Sequence, residues 1–302
     1  MVAPPGPTGD RYRAAVTDTD ATPPVQRAAA FMALHRPGDP LLLPNAWDEG
    51  SARLLEALGF EALATTSSGF AATLGRLDGE VGRDEALAHG ARLAAAVAIP
   101  VTADTEDGFG PDPATVADTV RRAGDGGLAG CSVEDFTRRT DEPIYDRALA
   151  VERIAAAAEA AHGGPRPMVL TARAENLIRG RPDLDDTIAR LQAYQEAGAD
   201  VLFAPGLRTL DDVTAVVSSL DRPLSVLALD GCPSVPELAA AGVGRVSVGG
   251  AFAFAAYARL VEVATELRRH GTYGWWPDVA RVRVTLREAF ATGAGSRYDR
   301  RP

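Results

Sequence analysis

The chain has 302 residues and a mass of 31.5 kDa, with 46% hydrophobic and 24% charged residues, the balance of a globular protein able to bury a full core. That size excludes a small scaffold stapled by disulfides or metal. The 31 basic and 41 acidic residues leave a net charge of −10, which disfavours attraction to nucleic-acid phosphates or anionic lipid.

All 31 basic residues are arginine. Without lysine there is no side-chain amine for a Schiff base and no phosphate-loop lysine, so pyridoxal phosphate enzymes, imine-forming aldolases and P-loop nucleotide hydrolases are ruled out. The two cysteines, Cys131 and Cys232, form no CxxC pair, which fits a reducing compartment and argues against a thiolate zinc site.

Residues 1–24 are crowded with Pro, Gly, Thr and Asp and read as a flexible arm before a single domain over 25–302. The first residues lack the apolar core of a secretory signal, and no run of roughly 18 uncharged apolar residues offers a membrane span, so a cytoplasmic protein is expected.

From residue 41 onward, short β-rich runs alternate with longer helical segments. The predicted strands are 41–44, 61–67, 99–104, 128–135, 167–173, 200–205, 223–229 and 245–250. Between them, Asp84–Val97, Pro113–Ala123, Ala148–Ala161 and Leu184–Ala197 carry apolar residues at helical spacing. Eight strand–helix units predict an α/β fold of the (β/α)8 TIM-barrel type, and the absence of GxGxxG after any strand removes dinucleotide binding. Beyond the eighth strand, AFAFAAYARLVEVATELRRHG and WWPDVARVRVTLREAFATG supply one helix more than a barrel needs. This tail either packs on a neighbouring subunit or caps its own barrel.

In such a barrel the active site forms where the carboxyl ends of the strands converge. The first predicted strand ends at Asn45, the second at Thr66, Ser67, Ser68 and Gly69, the third at Asp104, Glu106 and Asp107, the fourth at Glu134 and Asp135, the fifth at Arg173 and Glu175. Carboxylates on adjacent strand ends need a cation, and a hard ion with oxygen ligands, Mg2+ or Mn2+, suits them. On an extended segment Asp104 and Glu106 share a face and Asp107 points away. The plainer alternative is that such acids cap helices, as Asp107 and Asp112 are placed to do. Arg173, closing an apolar strand, is suited to clamp a carboxylate or phosphonate, or else to pair with Glu134 or Asp104. Asn45, Thr66, Ser67, Ser68 and Gly69 offer polar side chains and backbone N–H groups for a substrate carboxylate. His35, His89, His162 and His270 all fall in or beside predicted helices, so no histidine metal cluster is expected. Cys131 and Cys232 read as packing residues, and the Trp275–Trp276 pair as helix packing or a subunit contact.

Three stretches, NAWDEGSARLLEALGFEALATTSSGFAATLGRLDG, ADTEDGFG, and SVED followed by TARAE, resemble the isocitrate lyase and phosphoenolpyruvate mutase superfamily, with a cast like that of 2-methylisocitrate lyase, from about Leu41 to Ala255. The resemblance implies a barrel whose eighth helix is swapped between subunits, giving homodimers or homotetramers. It implies a Mg2+-dependent enzyme acting on a small carboxylate, which makes or breaks a C–C or P–C bond beside a 2-oxo or 2-hydroxy acid through a pyruvate-like enolate held on the metal. By position it assigns Asp104 and Glu106 to the metal, with Glu where Asp is commoner. It further assigns Glu134 to metal-bound water, Asp78 to a further acid near the metal, Arg173 to the substrate carboxylate, and Ser68 and Gly69 to the carboxylate-binding loop.

The lid after the fourth strand departs from the family: it has neither the KKCGH-type cysteine motif of the lyases nor the lysine and asparagine of phosphonate-cleaving members. Arg138 and Arg139 can neutralise substrate but not transfer protons, so Tyr145, Asp141 or Glu142 has to serve where an acid or base is needed. The expected function is therefore C–C cleavage of a small 2-oxo or 2-hydroxy (di)carboxylate, with oxaloacetate-type decarboxylation fitting the missing cysteine. The alternatives are phosphonopyruvate hydrolysis or mutation, and a non-catalytic carboxylate-binding barrel.

Overall fold

The computed structural model describes residues 24–291. The arm expected over 1–24 lies outside these, apart from Pro24, which opens the first helix. Nine strands form one parallel sheet: β1 (Leu41–Leu43), β2 (Asn45–Ala46), β3 (Leu63–Thr65), β4 (Val101–Asp104), β5 (Gly130–Glu134), β6 (Val169–Arg173), β7 (Val201–Phe203), β8 (Leu224–Leu227) and β9 (Arg245–Ser247). The helices are α1 (Pro24–Ala33), α2 (Glu49–Ala57), α3 (Ser67–Thr73), α4 (Arg83–Ala96), α5 (Pro113–Asp125), α6 (Arg147–His162), α7 (Leu184–Glu196), α8 (Leu210–Ser218), α9 (Val235–Ala240), α10 (Ala251–His270) and α11 (Trp276–Ala291).

The sheet order β1-β9-β8-β7-β6-β5-β4-β3-β2 brings two pieces of one stave to the ends of the row, with only Pro44 between them. Proline cannot donate to a ladder. The row therefore curls into a (β/α)8 barrel, β1 pairing with β9 on one side and β2 with β3 on the other.

Most strands stop short of their sequence patterns at the carboxyl end, because there the chain turns outward to build the mouth, whereas β4 and β6 run to the expected carboxyl ends and are shorter at the amino end. Thr66, expected inside a strand, is instead the N-cap of α3, its hydroxyl accepting from the Gly69 N–H at 3.2 Å. The sheet's outer face meets the helices in a core rich in Leu, Val and Ala. At the amino-terminal end α1 plugs the barrel, and Phe31 belongs to a buried cluster with Leu41, Leu43, Ala62, Ala64, Ala129, Val169 and Val201. All four histidines lie in or directly after helices, as expected. Among the described residues no helix is long and apolar enough to cross a membrane.

The tail forms two helices. Only Ala253 of the 20 residues of α10 is buried, and Phe254, Leu260, Val261 and Leu267 lie exposed along it. The second helix, α11, lies against α2.

Candidate active site

The mouth is built from the ends of β2 to β6. A cavity of about 190 Å3 opens there, lined by Asn45, Thr66, Ser67, Ser68, Asp78, Asp104 and Arg173 together with deeper residues. Alongside it, Asp78, Glu106, Glu134, Arg138, Arg173 and Arg179 line a second space.

Asp104 ends β4 with its backbone N–H donating to Thr65 Oγ1 at 2.9 Å, while its carboxylate accepts the N–H groups of Ser67 and Glu106, each at 3.2 Å. Asp104 and Glu106 are adjacent, but not through strand alternation. The strand stops at Asp104, and Glu106 adopts a left-handed backbone with φ 50°. Asp107, expected to turn away from that pair, lines neither space and lies within 3.5 Å of both Arg138 Nη2 and Tyr145 Oη. The left-handed conformation of Glu106 is strained for a non-glycine residue, and such strain occurs preferentially at functional sites.

Burial, and then the Asp104 charge, push the Glu106 carboxyl up to about 8, although Arg138 forms an ion pair with it. Burial likewise raises Glu134 well above the carboxylate range, against the pull of Arg173 at 3.2 Å. The Arg173 guanidinium is penalised by burial, yet Glu134, Glu175 and Asp104 more than offset this and hold it charged. It bonds Glu175 and comes within 3.9 Å of Asp104. Glu175 is fully buried and also accepts from Arg179 at 2.8 Å, whose guanidinium stacks 3.7 Å over Phe136. Arg173 is thus both an ion-pair partner of Glu134 and a lining residue of the cavity, so the two readings of it from sequence coexist.

The substrate candidates divide. Ser67 and Ser68 line the cavity, and Thr66 Oγ1 lies 3.2 Å from Ser68 Oγ. Gly69 stands behind it: its N–H is engaged by Thr66, and a Cβ there would meet Thr66 Cγ2 at 2.5 Å and Trp47 Cβ at 3.3 Å, so glycine permits close packing. Asn45 clasps the barrel seam, donating to the Thr65 carbonyl at 2.7 Å and accepting from the N–H groups of Val248 and Gly249 at 3.1 and 2.8 Å. In the lid, Asp141 and Glu142 pair with Arg139 at the surface, and Tyr145 stacks against Arg153, 4.0 Å from its guanidinium, without lining either space.

Several supporting residues escape sequence reading. Arg153, 1% exposed within α6, donates to the carbonyls of Glu134 and Gly110 at 3.2 and 3.3 Å and to that of Asp107. Asp135, behind the mouth, accepts from Tyr194 Oη at 2.6 Å, Arg190 at 3.1 Å and the Glu175 N–H at 2.8 Å. An arginine on a helix carries no local signal of such a role. Glu175, two residues past Arg173, was visible only as part of a strand end.

The model of the phosphoenolpyruvate phosphomutase family matches residues 31–268. The chain belongs to this family. Its members are lyases and mutases of the isocitrate lyase type. A solved candidate lyase/mutase from Burkholderia cenocepacia J2315 is 51% identical with a TM-score of 0.85, covering 89% of this chain and 98% of its own. The oxaloacetate decarboxylase of Rhodopseudomonas palustris (strain BisA53) is 30% identical over 187 residues, 60% of this chain and 63% of that protein. A phosphonopyruvate hydrolase solved with oxalate and Mg2+ is 25% identical with a TM-score of 0.76, covering 91% and 99% of the two chains.

The family's divalent ion suits the donors present. Among the described residues no three His, Cys, Asp or Glu side chains gather closely enough to form a cage by themselves. Mg2+ does not need one, because it retains several waters and is held by one or two carboxylates. A mouth supplying carboxylates without histidine or thiolate is chemically matched to a hard cation.

Proposed function

We propose that this family member is a Mg2+-dependent lyase, with Mn2+ as an alternative ion, that decarboxylates a small 2-oxo dicarboxylate of the oxaloacetate type. The observation that carries the reading is an acidic, arginine-bearing mouth under a lid that presents no proton-transfer group to the cavity: Asp141 and Glu142 are tied to Arg139, and Tyr145 is turned onto Asp107. Loss of CO2 needs no side-chain base at the bond that breaks, whereas cleavage of a 2-hydroxy acid does. The oxaloacetate decarboxylase relative and the oxalate–Mg2+ complex support the same class of substrate.

In this reading Asp104, Glu106, Glu134 and Asp78 hold the ion and its waters, and the bound ion supplies a Lewis acid for the 2-oxo oxygen. Arg173 draws in the carboxylate beside that oxygen, while Thr66, Ser67, Ser68 and the Asn45 amide supply hydrogen bonds around it. The bond between C3 and C4 breaks and CO2 leaves; the bonding pair forms the C2–C3 double bond as the carbonyl π pair moves onto the 2-oxo oxygen. A solvent proton then adds at C3 and restores the carbonyl. Gly69 keeps the α3 turn close, and Tyr145 positions Asp107 and Arg153.

We also infer that residues 25–302 act as one domain and that α10, the helix after the eighth stave, exchanges between copies in a homodimer or homotetramer, since it leaves its apolar side chains exposed. The free thiols Cys131 and Cys232 support a reducing, cytoplasmic setting.

The test is turnover of oxaloacetate, 2-methylisocitrate and phosphonopyruvate by the full chain with Mg2+, reading CO2, pyruvate and phosphate. CO2 and pyruvate from oxaloacetate, lost on chelation, are expected. Phosphate from phosphonopyruvate without CO2 from oxaloacetate would replace this reading with P–C cleavage. Ion binding without any turnover would make the protein a carboxylate-binding barrel.

A further inference from the structure

Below the mouth, the barrel interior departs from the stacked aliphatic layers usual in this architecture. Thr102, Ser132, Thr171 and Ser247 bring hydroxyl-bearing residues to the cavity wall, and Arg245 lines the same cavity as Asp104 and Arg173. In register, Arg173 pairs with Phe203, Phe203 with Ser225 and Ser225 with Arg245. Strand tilt carries that row down the barrel. The Arg245 guanidinium accordingly reaches Thr171 Oγ1 at 3.1 Å, one inward position below Arg173, a drop of about 6.6 Å along β6.

Arg245 is 4% exposed. Its Nε donates to Ser225 Oγ at 2.8 Å, and Nη1 lies 3.3 Å from Nε2 of the neutral His35 ring. Among the described residues it has no carboxylate partner, and Nη2 has no hydrogen-bond acceptor. Burial alone lowers its pKa, to about 9, with no opposing charge to raise it. Arg173, by contrast, is surrounded by Glu134, Glu175 and Asp104. An unpaired cation in a dry interior is costly, and buried charges are ordinarily paired. A guanidinium that lines a polar cavity and keeps a free N–H edge is arranged to receive an anion.

We propose that Arg245 is a second carboxylate-binding arginine, gripping from beneath the carboxylate that remains on the 2-oxo acid product. The inference rests on the reading of this cavity as the substrate pocket but not on which bond is cleaved. It narrows the substrate class to acids whose retained carboxylate enters the barrel first. Phe203 and Leu227, which also line the cavity, bound the apolar part of the ligand.

The experiment is calorimetric titration of oxalate into the Mg2+-loaded full chain, comparing wild type, Arg245→Gln and Arg245→Lys, with Mg2+ affinity and melting temperature measured on the same samples. Loss of one charge-assisted contact predicts oxalate binding at least about tenfold weaker in Arg245→Gln, partly retained in Arg245→Lys, with Mg2+ affinity within about twofold of wild type. In kinetics, KM rises in proportion while kcat changes less. Unchanged oxalate affinity in Arg245→Gln overturns the proposal. So does a parallel fall of Mg2+ affinity, oxalate affinity and melting temperature in both variants, which marks a structural role. If oxalate binding weakens selectively but oxaloacetate is not decarboxylated, the proposed reaction falls and the Arg245 site stands.

Discussion

Arg153 Nη1 donates to the carbonyl oxygen of Glu134 at 3.2 Å, so a residue on α6, outside the sheet, holds the end of β5 in place. The same guanidinium reaches the carbonyls of Asp107 and Gly110 in the loop after β4. Two of the segments that carry the proposed ion site are thus tied to one buried side chain. Arg153→Leu leaves these acceptors without a donor and is expected to lower stability by about 3 kcal/mol. Urea unfolding followed by circular dichroism measures this. A loss below about 1 kcal/mol would show that water or a neighbour replaces the guanidinium.

Arg138 and an incoming cation compete for Glu106, because Arg138 forms an ion pair with that carboxylate and donates to the Gly79 carbonyl at 3.0 Å. Arg138→Ala is expected to tighten apparent Mg2+ affinity about fivefold, the value of roughly 1 kcal/mol of released competition, and to slow turnover because the lid loses its anchor. Calorimetry of Mg2+ binding without substrate reads the first effect directly. Weaker Mg2+ binding in the variant would instead place Arg138 among the groups that build the site.

Acid should destabilise the fold through His89. Its ring stacks on Phe70 with centroids 3.7 Å apart, both ring nitrogens lack partners, and burial, then the Arg92 charge, lower its pKa from 6.5 to about 4. The folded state prefers the neutral ring, so the contribution is complete above pH 6.5 and is lost as pH falls toward 4. Between pH 7 and 5 the loss is about 2 kcal/mol. His89→Phe keeps the stack and removes that part of the slope, which urea unfolding at the two pH values detects. His35, lowered to about 3 by burial and by Arg245, acts in the same direction, so the variant keeps a residual slope. An unchanged slope in His89→Phe would place the acid sensitivity elsewhere.

Asp104→Asn and chelation should converge. Each removes the proposed ion, and each is expected to cut turnover at least about a hundredfold. With Mg2+ at about 100 times its Kd, the wild type gains roughly 2.7 kcal/mol of stability, which Asp104→Asn does not. Equal Mg2+-dependent shifts in melting temperature for both proteins would mean that Asp104 holds no ion.

The exposed apolar side of α10 predicts a self-associating protein. Leu260 and Val261 are 57% and 65% exposed, and large apolar patches of this kind mark contact surfaces. Light scattering should give a dimer or tetramer for the wild type and a smaller species for Leu260→Asp combined with Val261→Asp. A monomeric wild type at micromolar concentration would remove the helix-exchange proposal.

The alternation of short β-rich runs with helices was enough to specify a (β/α)8 barrel, because parallel strands and crossover helices impose their periodicities locally. The same logic located the mouth: Asp104, Glu134 and Arg173 stand at strand ends in the sequence and gather there in the fold. Asp78 was brought to the mouth by family resemblance, not by any local pattern.

What depended on tertiary structure was every relation set by shear, by loop backbone or by contact between distant elements. Glu106 joins Asp104 through a left-handed turn that alternation does not encode, and the same turn brings Asp107 to Arg138. Gly69, legible as an anion-binding glycine, has its N–H engaged by Thr66. Arg245 begins a β-rich run and looks like an ordinary edge charge; only closure of β1 onto β9, with α1 beneath, encloses it in the barrel. A residue's inward or outward side follows from its own strand, but whether an inward charge meets a partner depends on seven other staves, and no local pattern carries that information.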